Sequence, residues 1–354
     1  MRLKLLQRYI TRDLIWTTLL ALFLLVALFS FFTLIDQLED TGRGKYGVFQ
    51  ACVYVVLSIP SMIYDLFPIA AVIGSMSVMG LLARNNELDV IYTSGVSRNR
   101  LATVLMNASF LIVLLAIVIG EMLAPYSEEM AQNLRSLSMS EQISLKTRYG
   151  FWIRDGNSYV NIRKVLPGNR IEQIYVYQFG PDGKLHNSMQ AESAIYDGGK
   201  WRMQNITESV IKDEKIVNRS LQQATWDSLL SPDIINVVIV EPRFLTVAGL
   251  LNYISYLQQN SQDSRLYEQV LWSKLIKPFS ILGMILLAIP LVKGNGRSVA
   301  LGQRVFTGAL AGILFHLCNQ VSVNLGVVYQ IQPAISVVAP TLFLYLLILS
   351  LMRN

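Results

Sequence analysis

The chain reads as an α-helical membrane protein with six transmembrane helices and an all-β, jellyroll-like domain inserted at its middle. Three observations predict this class. Six long apolar stretches occupy residues 14–35, 66–82, 101–124, 275–292, 299–321 and 333–352. They fall three and three around a long polar segment. Within that segment the pattern changes to short β-type runs broken by turn residues. The first stretch carries no charged residue and, at ~1.5 Å per residue, spans a bilayer core of ~30 Å. Composition agrees: 53% of residues are hydrophobic and 15% charged, against ~25% charged in an ordinary soluble domain.

The net charge of +6 is a topology signal in such a chain, not a nucleic-acid signal. Arg2, Lys4, Arg8 and Arg12 precede the first span, and Arg84, Arg98 and Arg100 follow the second. Lys293, Arg297 and Arg304 lie between the fourth and fifth, and Arg353 stands at the end. The short loops of the opposite side offer only Arg43 and Lys45. This asymmetry places both termini in the cytoplasm and the large domain outside. The first span is too long for a signal-peptide core, and Asp36-Gln37-Leu38-Glu39 follows it in place of small cleavage residues. Cys52 and Cys318 both lie outside the large domain, which needs neither a disulfide nor a structural zinc.

Residues 149–241 carry β-branched and aromatic runs such as Ile174-Tyr175-Val176-Tyr177, with turn signals at Leu166-Pro167-Gly168-Asn169, Gly180-Pro181-Asp182-Gly183 and Asp197-Gly198-Gly199. Strands of five to eight residues and regular turns suggest a sandwich or roll. Residues 128–140 continue the third span outward as a helix, and residues 247–259 form an amphipathic helix leading to the fourth. The domains expected are 1–125 with spans one to three, 126–270 with the β domain and its helical connectors, and 271–354 with spans four to six. The β domain suits a spacer, a docking module or an apolar-ligand groove.

No Walker A pattern occurs: Gly294-Asn295-Gly296-Arg297-Ser298 lacks the spacing and the lysine that hold phosphates, so the chain does not hydrolyse ATP by itself. There is no GxSxG, HExxH or paired-carboxylate motif. Asp65 and Glu121 stand as isolated carboxylates at span ends, and His186 and His316 are lone residues. No catalytic residue, metal site or cofactor is expected. The loop after the second span is the most informative. Its residues 84–97 contain a short helix with Leu88, Ile91 and Tyr92 on one face, acidic Glu87 and Asp89 early, and Ser94-Gly95 at the end. Two readings stand for it: a docking element for a soluble motor subunit, or an interfacial helix lying on the bilayer. Gly308 with Gly312, and Ala70 with Gly74, form small-residue faces suited to close helix crossings.

Several stretches together resemble the LptF/LptG permease family of lipopolysaccharide-export ABC transporters over essentially the full length. They are Arg8-Tyr9-Ile10, Asp36-Gln37-Leu38, Phe67-Pro68, the Glu87…Ser94-Gly95 loop and Gly120-Glu121 through Ala124-Pro125. Trp272-Ser273-Lys274 and Arg297-Ser298…Gly302…Arg304-Val305…Thr307-Gly308 complete the set. The Asp36-Gln37-Leu38 and Arg297-Ser298…Thr307-Gly308 runs are more similar to the LptG branch than to LptF. The resemblance implies a permease subunit in the bacterial inner membrane that extracts lipopolysaccharide from the outer leaflet. It implies a homologous LptF-type partner, an LptB-type cytoplasmic ATPase dimer that uses the ATP, a single-span LptC-type protein and a periplasmic bridge. The coupling residues it suggests are Glu87, Leu88, Asp89, Ile91, Tyr92, Ser94 and Gly95. For the lipid it suggests an apolar path along the first and fifth spans, with Leu24, Leu28, Phe31, Phe67 and Phe315, and Leu344 of the sixth span as a lipid-facing reference. Relatives carry basic residues at the outer end of the first span where this chain has Thr33, Glu39 and Asp40. Arg135, Lys274 and Lys277 are then the candidates for phosphate contact. A membrane-anchored envelope scaffold whose β domain recruits partners is the competing reading; a lipid-modifying enzyme lacks a polar cluster to support it.

Overall fold

The computed structural model describes residues 3–139, 150–166, 170–180, 182–197, 199–212, 215–226, 242–293 and 300–353. The turn residues Pro167-Gly168-Asn169, Pro181 and Gly198, the stretch 227–241 and the Gly294…Ser298 cluster lie outside them. The chain forms two compact units. One holds the residues up to Glu39, Ala51–Ala131 and those from Arg265 onward; the other holds Asp40–Gln50 and Gln132–Ser264. These breaks differ from the expected 125/126 and 270/271, and the loop after the first span belongs with the β unit.

In the first unit the spans are α1 (Leu3–Glu39), α2 (Val48–Arg84) and α4 (Arg98–Val118), then α7 (Arg265–Lys293), α8 (Leu301–Val328) and α9 (Pro333–Arg353). A short helix, α3 (Glu87–Thr93), separates α2 from α4. All six spans are long and apolar enough to cross a membrane. α2 starts 18 residues before the apolar stretch expected for it. It runs unbroken through Pro60 and Pro68; in a span, backbone groups freed by a proline are re-satisfied by neighbouring elements. Beyond α4 the helix widens into a π turn (Ile119–Leu123) and continues as α5 (Ala124–Met139).

Close packing follows the small residues. A Cβ on Gly74 would lie 2.8 Å from the Thr18 backbone of α1, one on Gly308 2.9 Å from Met76 Cγ, and one on Gly312 3.0 Å from Val72 Cγ1. Glycine is what lets these helix pairs approach. Leu344, expected to face lipid, is buried, because Gly283 of α7 leaves the space its side chain fills. Phe343 beside it is exposed.

In the second unit six strands run β1 (Phe151–Asp155), β2 (Ser158–Leu166), β3 (Arg170–Phe179), β4 (Leu185–Asp197), β5 (Lys200–Lys212) and β6 (Lys215–Trp226). They pair antiparallel in chain order. Several exceed the expected five to eight residues: polar residues on both faces of β4 and β5 hide the alternation that would have marked their length. Ile153, Val160, Ile162, Ile174, Val176, Ala191, Trp201, Met203 and Ile206 make the buried face. One interrupted row crosses the ladder. Pairing runs through Ile162↔Ile174 and Lys164↔Glu172, through Ile174↔Ala191 and Glu172↔Ser193, and through Ala191↔Ile206 and Ser193↔Gln204. The skipped partners are Arg163, Gln173, Glu192 and Asn205. Gln173 (φ 55°) and Asn205 (φ 52°) adopt left-handed backbone, and Asn205 Nδ2 donates to Glu192 Oε2 at 2.6 Å. An aligned irregularity of this kind bends neighbouring strands at one level. Helix α6 (Val247–Gln259), at the bounds read from sequence, starts with Thr246 Oγ1 accepting from Gly249 N. Tyr256 of α6 ties it to β1 by donating to Arg154 O at 2.7 Å.

Candidate functional site

The coupling residues lie on and just after α3. Leu88 and Ile91 are buried in the core of the membrane unit, Tyr92 packs against it, and Asp89, Ser94 and Gly95 are exposed. The helix therefore has one face anchored and one face outward. Its attachment to α2 is short and ordered. Asn85 N donates to Leu81 O and Asn86 N to Ala83 O, Asn86 takes φ 61°, and Asn85 Nδ2 donates to Glu87 Oε1 at 3.1 Å. Gly95, at φ 89°, reverses the chain, and Ser97 caps α4 by accepting from Arg100 N. Burial pushes the Tyr92 hydroxyl above its ordinary range, so it is a neutral donor at pH 7.

The structure brings Lys274 and Lys277 of α7 to Tyr64 and Asp65 of α2 and to Glu121 of the π turn. Lys274 Nζ lies 2.9 Å from Glu121 Oε1 and 3.4 Å from Gly120 O. Lys277 Nζ lies 2.7 Å from Asp65 Oδ1 and 3.6 Å from the Tyr64 ring centroid. The carboxylates that stood isolated in sequence are thus the counter-ions of both lysines. Gly120 is required here, because a Cβ on it would run into the Tyr64 ring. The lysine side chains are only 6% and 19% exposed, whereas Asp65 is 57% exposed. A buried ammonium is tolerated when paired and hydrogen-bonded, and a desolvated cation over an aromatic face gains ~2 kcal/mol. Lys274 joins α7 to the third span, and Lys277 joins α7 to the second. An incoming phosphate would have to compete with Asp65 for Lys277; Lys274 is enclosed.

In the second unit Arg135 of α5 is one-third exposed and its Nη2 lies 2.6 Å from Asp40 Oδ2, while Arg43 Nη1 holds the other oxygen, also at 2.6 Å. Lys45 N donates to Ser138 O at 2.7 Å. Gly44, at φ 61°, sits where a Cβ would press on Met139 O at 2.7 Å. Asp40 thus pairs with Arg135 and, with the Lys45–Ser138 bond, pins the 40–47 loop to α5.

The apolar candidates divide. Leu24, Leu28 and Phe31 are exposed along α1, the latter two by 51% and 59%. Phe315 is half-buried against the core. Phe67 is fully buried and borders a cavity of about 40 Å³ with Ile15, Thr18, Leu19, Leu111, Ile112 and Leu115. That space is lined almost wholly by apolar side chains. Sequence reasoning missed Tyr64 and read Arg304 only as a loop charge and as part of the family motif. Arg304 is 4% exposed and its Nη1 donates to Gly80 O at 2.8 Å. An arginine inside an apolar span was the available signal.

Six spans, a β unit inserted between the third and fourth, and an anchored short helix between the second and third define a polytopic membrane protein built to combine a helical core with an extramembrane domain. The model of the family described as lipopolysaccharide export system permease LptF/LptG matches residues 8–354, and the chain belongs to that family. It is 35% identical over 352 residues to the lipopolysaccharide export system permease protein LptG of Escherichia coli K12, covering 99% of this chain and 98% of the relative. It is 31% identical over 345 residues to the protein of the same name from Haemophilus influenzae, covering 97% and 96%.

Proposed function

We propose that this chain is the LptG-type permease subunit of a lipopolysaccharide-export ABC transporter of the bacterial inner membrane. The observation that carries the reading is family membership along nearly the whole chain, spans and β domain included. It acts beside a homologous LptF-type subunit on an LptB-type ATPase dimer, which binds and hydrolyses the ATP. An LptC-type single-span protein and a periplasmic bridge receive the lipid. Both termini and α3 face the cytoplasm and the β domain faces the periplasm, an orientation supported by the basic residues of the short loops.

In this reading α3 docks on the ATPase through its outward face, with Glu87 and Asp89 beside Ser94 and Gly95. The anchored face, Leu88 and Ile91, passes the motion to the spans. Leu28 and Phe31 of α1 and Phe315 of α8 line the lateral opening through which a lipid with several acyl chains leaves the leaflet. Arg135 and Lys277 attract its phosphates, exchanging Asp40 and Asp65 for charge-assisted bonds to the lipid. Lys274 keeps the spans at that end together.

The test is site-specific photo-crosslinking in the reconstituted complex with its partner subunit and ATPase. A crosslinker at Leu28 or Phe31 should capture lipopolysaccharide, and Arg135→Glu should lower the yield without loss of expression. Capture at Phe343 of α9, with none at Leu28 or Phe31, would overturn the assignment of the path.

A further inference from the structure

Three positions on α8, four residues apart, face three on α2 with the same spacing. Arg304 meets Gly80, Gly308 meets Met76 and Gly312 meets Val72. Spacing of four on both helices aligns one ridge of side chains on each. The glycines bring the helices together, and Arg304 closes the end of the ladder with a hydrogen bond to a main-chain carbonyl. That carbonyl belongs to the last turns of α2, where the helix dipole is negative and a cation is favoured. Four residues further on α2 ends at Arg84, and only Asn85 and Asn86, both held by backbone hydrogen bonds, separate it from α3. On the other side Arg304 lies in the first turns of α8, the span that carries Phe315. Burial of Arg304 gives its guanidinium no solvent to exchange into, so the bond to Gly80 is a fixed link between two elements.

We propose that Arg304 is a positioning residue for transport coupling: its bond to Gly80 makes the start of α8 move as one body with α2 and the α3 docking helix. The inference rests on the permease reading, in which α3 receives the ATPase stroke and α8 borders the lipid opening. A link at this point delivers that stroke to the opening without passing through the other spans.

The test uses the full complex in proteoliposomes with lipopolysaccharide, reading ATP hydrolysed and lipid released together. Arg304→Met removes the donors while Gly80 O keeps its place in the α2 ladder. It should leave ATP hydrolysis within about twofold of wild type and lower lipid released per ATP by about tenfold, the effect of losing one charge-assisted bond. Arg304→Lys, which can still donate to Gly80, should recover much of that ratio. An unchanged ratio in Arg304→Met would overturn the proposal. So would an equal fall in hydrolysis and release, which marks a structural defect alone. If Arg304→Met does not assemble, spin labels at the exposed Val90 and Phe306 of the otherwise wild-type complex decide. Their separation should hold through the ATP cycle, and a change beyond one helical turn, ~5 Å, would contradict a rigid link. Absence of ATP-dependent release in the wild-type complex would instead reject the permease reading itself.

Discussion

Lys274 sits in a nearly closed site with Glu121 2.9 Å away. Removing only the acid should therefore cost more than removing the pair. Glu121→Gln is expected to lose ~3 kcal/mol, the scale of an uncompensated buried charge, read as a lower unfolding midpoint in detergent. The double variant Glu121→Leu/Lys274→Met should recover most of it; no recovery would mean that the pair contributes nothing as a pair. Gly120→Leu should fail more severely, since its side chain must displace the Tyr64 ring that both ammoniums approach. None of this pairing was legible in sequence. Residues 64–65, 120–121 and 274–277 are far apart along the chain, and only the packing of three spans brings them together. The lysines and carboxylates drew notice individually, as a candidate phosphate site and as isolated acids. Asp40 likewise drew notice singly, but not as the partner of Arg135.

Among elements, the span cores and α6 were readable because apolar length and helical periodicity are local signals. The start of α2 was not read, and the lengths of β4 and β5 were not, because both of their faces carry polar residues. The β unit should unfold by itself when its buried face is emptied. Trp201, fully buried and in edge contact with Tyr196 at 5.1 Å between centroids, is the largest side chain there. Trp201→Ala should cost ~3–5 kcal/mol, seen as protease sensitivity confined to the β unit while the spans stay protected. Uniform loss of the whole chain would instead mean that the two units fold as one. The α3 element carries a different expectation. Its periodicity was legible and its anchored face is present, yet an outward face alone does not distinguish a docking surface from a bilayer-lying helix. Glu87→Lys should weaken ATPase association by one to two decades, the ~1.5–3 kcal/mol of a charge-assisted contact. Unchanged co-purification and transport would return α3 to the bilayer surface.

At the scale of the whole molecule, orientation decides whether the proposed route is possible. In a cysteine-free background, a cysteine at Asn218 of β6 should react with an impermeant maleimide in intact spheroplasts, and one at Thr93 of α3 only after lysis. The reverse pattern would place the β unit on the wrong side for export. The central claim is that this chain, with its partner and ATPase, moves lipopolysaccharide out of a bilayer at the expense of ATP. The most direct measurement is lipid release from proteoliposomes to a soluble acceptor β domain, with ATP and with a non-hydrolysable analogue. ATP-dependent release that disappears when this subunit is omitted is the expected result. Release that is indifferent to ATP, or that persists without this chain, would contradict it.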